Sequence, residues 1–158
     1  EDAFLHCGIR QPYQMDAYSV KGVAPSDIHY LYAKSHLNST AEYGVSFERG
    51  TYVDYPGGRR VFISGTASID NKGKVLFEGD VVKQAERMLE NVEVLLSEAG
   101  ADFTKVQYMI VYLRDIADYA IVRQLFVSRF GEAMPFVFLQ APVCRPKWLI
   151  EMECVASI

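Results

Sequence analysis

Leu149-Ile150-Glu151-Met152-Glu153-Cys154-Val155-Ala156 alternates in character, and that alternation decides what kind of sheet this protein builds. Successive side chains of an extended strand point to opposite faces. Ile150, Met152 and Cys154 therefore share one face, while Leu149, Glu151, Glu153 and Val155 share the other. The stretch Lys105 to Leu113 divides in the same way. Met109, Val111 and Leu113 face one side; Val106, Tyr108, Ile110 and Tyr112 face the other. A sheet that is apolar on both sides requires cover on both.

Two amphipathic helices supply one cover. Behind Asp80, a good N-cap, the residues Val81, Ala85, Met88, Leu89, Val92, Leu95 and Leu96 recur at helical spacing, and Gly100 ends the run. After Asp115 a second helix carries Ile121, Val122, Leu125, Phe126 and Phe130 to a stop at Gly131. The Asp115-x-x-Asp118 spacing reads as capping of that helix. Upstream, Ser46 to Tyr55 and Arg60 to Ala67 form a hairpin around Pro56-Gly57-Gly58. Asn71-Lys72-Gly73 then turns into a short strand, Lys74 to Phe77. Strands Pro135 to Ala141 and Trp148 to Ile158 flank the loop Pro142-Val143-Cys144-Arg145-Pro146. The order β-β-β-α-β-α-β-β gives an α+β domain, a mixed sheet with both helices on one face. The helix-free face is then expected to meet another subunit. Residues 1–44 are weakly patterned and Tyr-rich, and read as an N-terminal arm over a domain spanning 45–158.

The chain has 158 residues, enough for one core. Its 16 Lys and Arg are scattered among 20 Asp and Glu, for a net charge of −4, so no nucleic-acid partner is expected. No apolar run reaches the roughly 20 residues of a membrane span. Cys7, Cys144 and Cys154 form no CxxC pair and read as reduced thiols of a cytoplasmic protein. His6-Cys7 lacks a second ligand pair, so neither metal nor cofactor is expected. The chain opens on Glu1 rather than Met, which fits a piece cut from a longer parent.

Several motifs in order resemble the YjgF/Rid family: Ile63-Ser64-Gly65-Thr66-Ala67, the Gly79-Asp80 helix start, Val111-Tyr112-Leu113-Arg114-Asp115 with Asp118-Tyr119, and the Leu149–Ala156 strand. The resemblance covers residues 45–158. It implies a chorismate-mutase-like fold, a homotrimer around a central barrel, and clefts between subunits that bind a small carboxylate-bearing metabolite. RidA-type imine deaminases carry an Arg just after the Pro of the penultimate strand; here that stretch is Pro135-Phe136-Val137-Phe138. The family's labels of translation initiation inhibitor and endoribonuclease need an RNA-binding surface, and the acidic balance stands against one.

A second set is similar to the catalytic domain of chorismatases: Ser64 to Ile69, Gly79-Asp80-Val81, Leu139-Gln140-Ala141 and Val143-Cys144-Arg145. That resemblance implies cleavage of the enolpyruvyl ether of chorismate or a similar carboxylate. Arg123 then matches the family's helix Arg, Glu151 its strand Glu, and Cys144 the Cys of the hydroxybenzoate-forming branch. Chorismatases are about twice as long and carry an N-terminal domain.

The residues suit that chemistry. Cleaving an enol ether requires protonation of its methylene carbon, hence a neutral carboxylic acid. Glu151 and Glu153 lie on one face, and like charges in a confined cleft would raise the pKa of one of them. Arg123 would clamp a carboxylate bidentately, and Ser64, Gly65 and Thr66 would offer backbone amides to an oxyanion. Cys144 would line the pocket or attack the ring, with Arg145 beside it. Each has a plainer reading as well. Glu-x-Glu also suits a solvated or ion-paired strand face, Arg123 a water-facing helix position, Cys144 a buried thiol, and Arg145 a loop cap.

Overall fold

At the start of the longer helix, Asp80 turns its carboxylate back so that Oδ1 accepts the Lys83 amide at 3.0 Å. This satisfies one of the amides that a helix N-terminus leaves open. The computed structural model describes residues 18–43 and 46–158, and this helix, α1, runs Val81–Glu98. Its inward stripe of Ala85, Met88, Leu89, Val92, Leu95 and Leu96 is fully buried. Each large apolar side chain so removed from water contributes about 1.5–3 kcal/mol. Gly100, at φ 74°, takes the left-handed turn that ends it.

The second helix, α2 (Tyr119–Phe130), buries only Val122 and Phe126, with Leu125 and Phe130 half-buried against the same core. Ile121, expected inside, is 50% exposed. Residues 122 and 126 form a single i, i+4 line, and a neighbour one position earlier is rotated about 100° away from it. The Phe126 ring lies edge-on to those of Phe130, Phe136 and Phe138, at centroid distances of 5.4 to 5.9 Å.

The described residues form six strands: β1 (Ile28–Leu31), β2 (Gly50–Tyr55), β3 (Gly58–Ala67), β4 (Val106–Leu113), β5 (Phe136–Gln140) and β6 (Ile150–Ser157). They make one sheet in the order β1-β2-β3-β6-β4-β5, with only β4 and β5 parallel. Both helices pack into one core with Ile150, Met152 and Cys154, as the alternation of β6 requires. On the opposite face, register aligns Phe62, Val155 and Tyr108, and likewise Ile110 with Val137 and Tyr112 with Leu139. Tyr108, Val137 and Leu139 are each more than 40% exposed there. Among the described residues, no helix is long and apolar enough to cross a membrane.

Four details depart from the pattern. Residues 28–31, within the stretch expected to be an arm, form the edge strand β1 of the same sheet, which is too short for alternation to reveal. The expected strand Lys74 to Phe77 is reduced to one bridge, Ile69 with Val75. There Asp70 Oδ1 accepts both the Lys72 and Lys74 amides at 2.9 Å and folds the segment into a turn. Strand β2 begins at Gly50 rather than Ser46. Val106 is buried because the β4–β6 register slips between Val106 and Tyr108, and Val155 is 7% exposed beneath its neighbours. His6 and Cys7 lie outside the described residues.

Candidate active site

Between Ile63 and Thr66 the pairing of β3 with β6 slips: Ile63 faces Cys154 but Thr66 faces Met152. Three steps on one strand oppose two on the other, which is a β-bulge. Ser64 is fixed at both ends of the slip. Its amide donates to Arg49 O at 3.1 Å and its hydroxyl to Glu48 O at 2.6 Å. Thr66 Oγ1 donates back to Ser64 O at 2.8 Å. Gly65 between them is a seat. A Cβ there would collide with Glu151 Oε1 and lie 3.2 Å from Glu151 Cδ. The carboxyl of Glu151 occupies the room that a side chain at 65 would fill.

Burial pushes the Glu151 carboxyl above the ordinary carboxylate range. The Cys144 backbone amide, which donates to it, opposes that rise, and Glu153 adds to it. The Cys144 thiol is itself pushed up, by partial burial and then by Glu151. It is therefore a neutral thiol at neutral pH and a weak nucleophile. Tyr112, opposite Glu151 in register, donates its hydroxyl to Glu153 Oε1 at 2.8 Å. Burial and then that bond raise the phenol's pKa. A cleft of about 340 Å3 lined by Phe62, Ser64, Tyr108, Ile110, Glu153 and Val155 opens beside this group.

The loop that carries Cys144 is gripped from two sides. Arg114 donates through Nε to Trp148 O at 2.6 Å and through Nη2 to Val143 O and Arg145 O at 2.8 and 2.5 Å. Buried Gln84 donates to Lys147 O at 2.9 Å and to Phe77 O at 3.2 Å, and accepts the Leu149 amide at 2.9 Å. Arg145 donates to Gly73 O at 3.1 Å, with its guanidinium 5.1 Å from the Trp148 ring centre. Arg114→Ala is expected to cost about 2–4 kcal/mol, since three carbonyls lose a charged donor together. A lower urea midpoint with an unchanged slope would register it.

The structure thus brings together Glu151, Cys144, Ser64, Gly65 and Thr66. Arg145 sits on the same loop and donates to Gly73 O. Arg123 lies apart. Its Nη2 is 3.8 Å from Glu132 Oε1, and it lines a separate cleft of about 450 Å3 with Tyr119, Met134, Phe136 and Phe138. The Ser64 amide, expected to face an oxyanion, is engaged by Arg49 O instead. Asp115 caps only the turn before α2, accepting the Ala117 amide at 2.9 Å, while Asp118 makes no side-chain cap bond. Among the described residues no three His, Cys, Asp or Glu side chains cluster as metal ligands do.

Residues 47–158 match the family described as endoribonuclease L-PSP. The chain belongs to this family, that of the YjgF/Rid proteins.

Within the L-PSP family, the chain is 34% identical over 100 residues to a RutC family protein of Pyrococcus abyssi, covering 63% of this chain and 79% of that one. It is 32% identical to a 3-hydroxybenzoate synthase of Streptomyces hygroscopicus across 95% of its own length and 43% of the synthase. A solved chorismatase superposes with a TM-score of 0.72 at 25% identity, covering 82% of this chain and 43% of that one. The chain thus spans less than half the length of these two proteins, and the fold is that of the L-PSP family.

Arg114, Gln84 and Tyr112 were not legible as site residues. Gln84 alone gave a signal: with Asn91 it interrupts the apolar stripe of α1 at helical spacing. A polar residue on a buried face needs a partner. Asn91 finds Ala67 O and Ile69 O at 3.0 and 3.1 Å, and so steadies the end of β3.

Proposed function

We propose that this L-PSP family chain is a chorismatase-like hydrolase or lyase acting on a small enol-ether carboxylate, chorismate or a similar molecule, without metal or cofactor. The observation that carries the reading is the Glu151 carboxyl, seated on Gly65, half-buried, and pushed toward its neutral form. A neutral carboxylic acid is what enol-ether cleavage requires. Glu151 donates its proton to the methylene carbon, and the ether carbon becomes an oxocarbenium ion. Water adds to that carbon and returns a proton to Glu151. The hemiketal then collapses to pyruvate and the ring alcohol. Cys144 lines the pocket as a neutral thiol.

Arg123 is the proposed carboxylate clamp, reached across a subunit boundary in a homotrimer that packs through the helix-free face. Exposed Tyr108, Val137 and Leu139 support that packing, because apolar side chains grouped on one sheet face favour a covering partner. The similarity to a 3-hydroxybenzoate synthase across 95% of the chain supports the substrate class.

A divergent Rid domain that binds a metabolite without turning it over is the second reading. It is favoured by Arg114, whose guanidinium holds the carbonyls of Val143, Arg145 and Trp148. Purified protein mixed with chorismate and followed for pyruvate separates the two. The first reading expects release above the uncatalysed background. Saturable binding with no release moves the assignment to the second.

A further inference from the structure

Tyr112 stands opposite Glu151 in the β4–β6 register, yet its hydroxyl bypasses that residue and bonds the next carboxylate along the face. We propose that Tyr112 and Glu153 are the positioning pair of this site: the phenol O–H anchors the Glu153 carboxylate in place, and that fixed negative charge keeps the exchangeable proton on Glu151. The proposal rests on the reading of Glu151 as the acid.

Glu151 and Glu153 are two residues apart on one strand face, about 7 Å along the chain at strand rise. At that spacing, in a partly dry cleft, a charge on Glu153 acts on the proton of Glu151. The bias has a direction. Glu153 receives a side-chain hydroxyl and borders the open cleft beside Ser64 and Tyr108. Glu151 is pressed onto Gly65 and receives a backbone amide.

The groups that face Glu151 can be named from each element packed on it. They are Gly65 from β3, with Ala67 opposite in register, Tyr112 from β4, Glu153 on its own strand, and Cys144 from the loop, with Arg145 directed to Gly73 O. Glu153 is the charge that acts on Glu151, and it acts to retain the proton. Tyr112 touches no reacting atom in this arrangement. Its role runs through Glu153.

The test reads the proton rather than the product. Protein labelled with 13C at the Glu carboxyl carbons is titrated by NMR, with the Glu151 signal assigned by its loss in Glu151→Gln. Glu153→Gln is expected to move the Glu151 midpoint to lower pH by about one unit. Tyr112→Phe, which keeps the ring and its packing, is expected to move it the same way by less. Tyr108→Phe, on the same face without that bond, is expected to leave it in place. An unmoved or raised midpoint in Glu153→Gln overturns the pair, as does a Tyr112→Phe shift no larger than that of Tyr108→Phe. Amide spectra confirm that each variant is folded. Pyruvate release measured in parallel separates the two ideas. Shifts without release uphold the pair and remove the proposed substrate, whereas release with an unmoved midpoint keeps the acid and removes the pair.

Discussion

Glu151→Gln is expected to lower pyruvate release by about a hundredfold or more, the usual worth of a placed general acid. The substitution is nearly isosteric, so the seat on Gly65 and the bond from the Cys144 amide can both persist. What disappears is the transferable proton. The wild-type pH profile should carry the same signature. An acid works in its protonated form, so the rate should hold at low pH and fall as pH rises through the raised pKa of Glu151. Stability should follow the same sign. The unfolded carboxyl ionises in the ordinary range, while the folded one keeps its proton to higher pH. Between those two values the native state holds more protons, and stability falls as pH rises. Glu151→Gln removes that slope. Full turnover in the variant would remove Glu151 from the mechanism.

Gly65→Ala is expected to have an effect of similar size by a different route. The new methyl group would stand where Glu151 Oε1 now lies. The bulge leaves little slack on the strand side, because Ser64 is tied to Glu48 and Arg49. The carboxyl must therefore leave its seat on residue 65. Turnover should fall about a hundredfold, as when a reacting group is misplaced by an ångström. Overpacking should also cost about 1–3 kcal/mol of stability. Adding Glu151→Ala to Gly65→Ala should recover part of that stability, because the colliding partner is gone. Thermal melts of the two single variants and the double variant test this. If the two losses simply add, the contact is not the source of the cost.

How much of this the sequence disclosed depended on whether the cause was local. Helix α1 was legible because its stripe and its Asp80 cap lie within one run of residues. The alternation of β6 disclosed that Glu151 and Glu153 share a face away from the helices, and so located half the candidate site. Strand β1 was hidden because four residues cannot show a period, and their pairing partners lie 19 to 25 positions on. The lost strand after Asn71 shows the opposite case, in which one side chain, Asp70, overrules a plausible pattern. Arg114 was read only as part of a motif. Its work is done on carbonyls 29 to 34 residues away, and any backbone offers carbonyls. Arg123 suited a clamp by residue type and by its match to the helix Arg of the chorismatase pattern, but its position within one chain is set by α2, which faces a different cleft.

The place of β6 in the sheet bears on how the molecule comes into being. This strand is sixth in chain order yet lies between β3 and β4, bonded along both edges. Until it arrives, β1-β2-β3 and β4-β5 are two half-sheets with unsatisfied margins facing one another. Pairings of such long separation form late and leave sticky edges exposed meanwhile. A nascent chain halted anywhere before residue 150 would thus be both prone to aggregate and catalytically mute, since Glu151 travels on the strand that joins the halves. Completion of the fold and arrival of the proposed acid are one event.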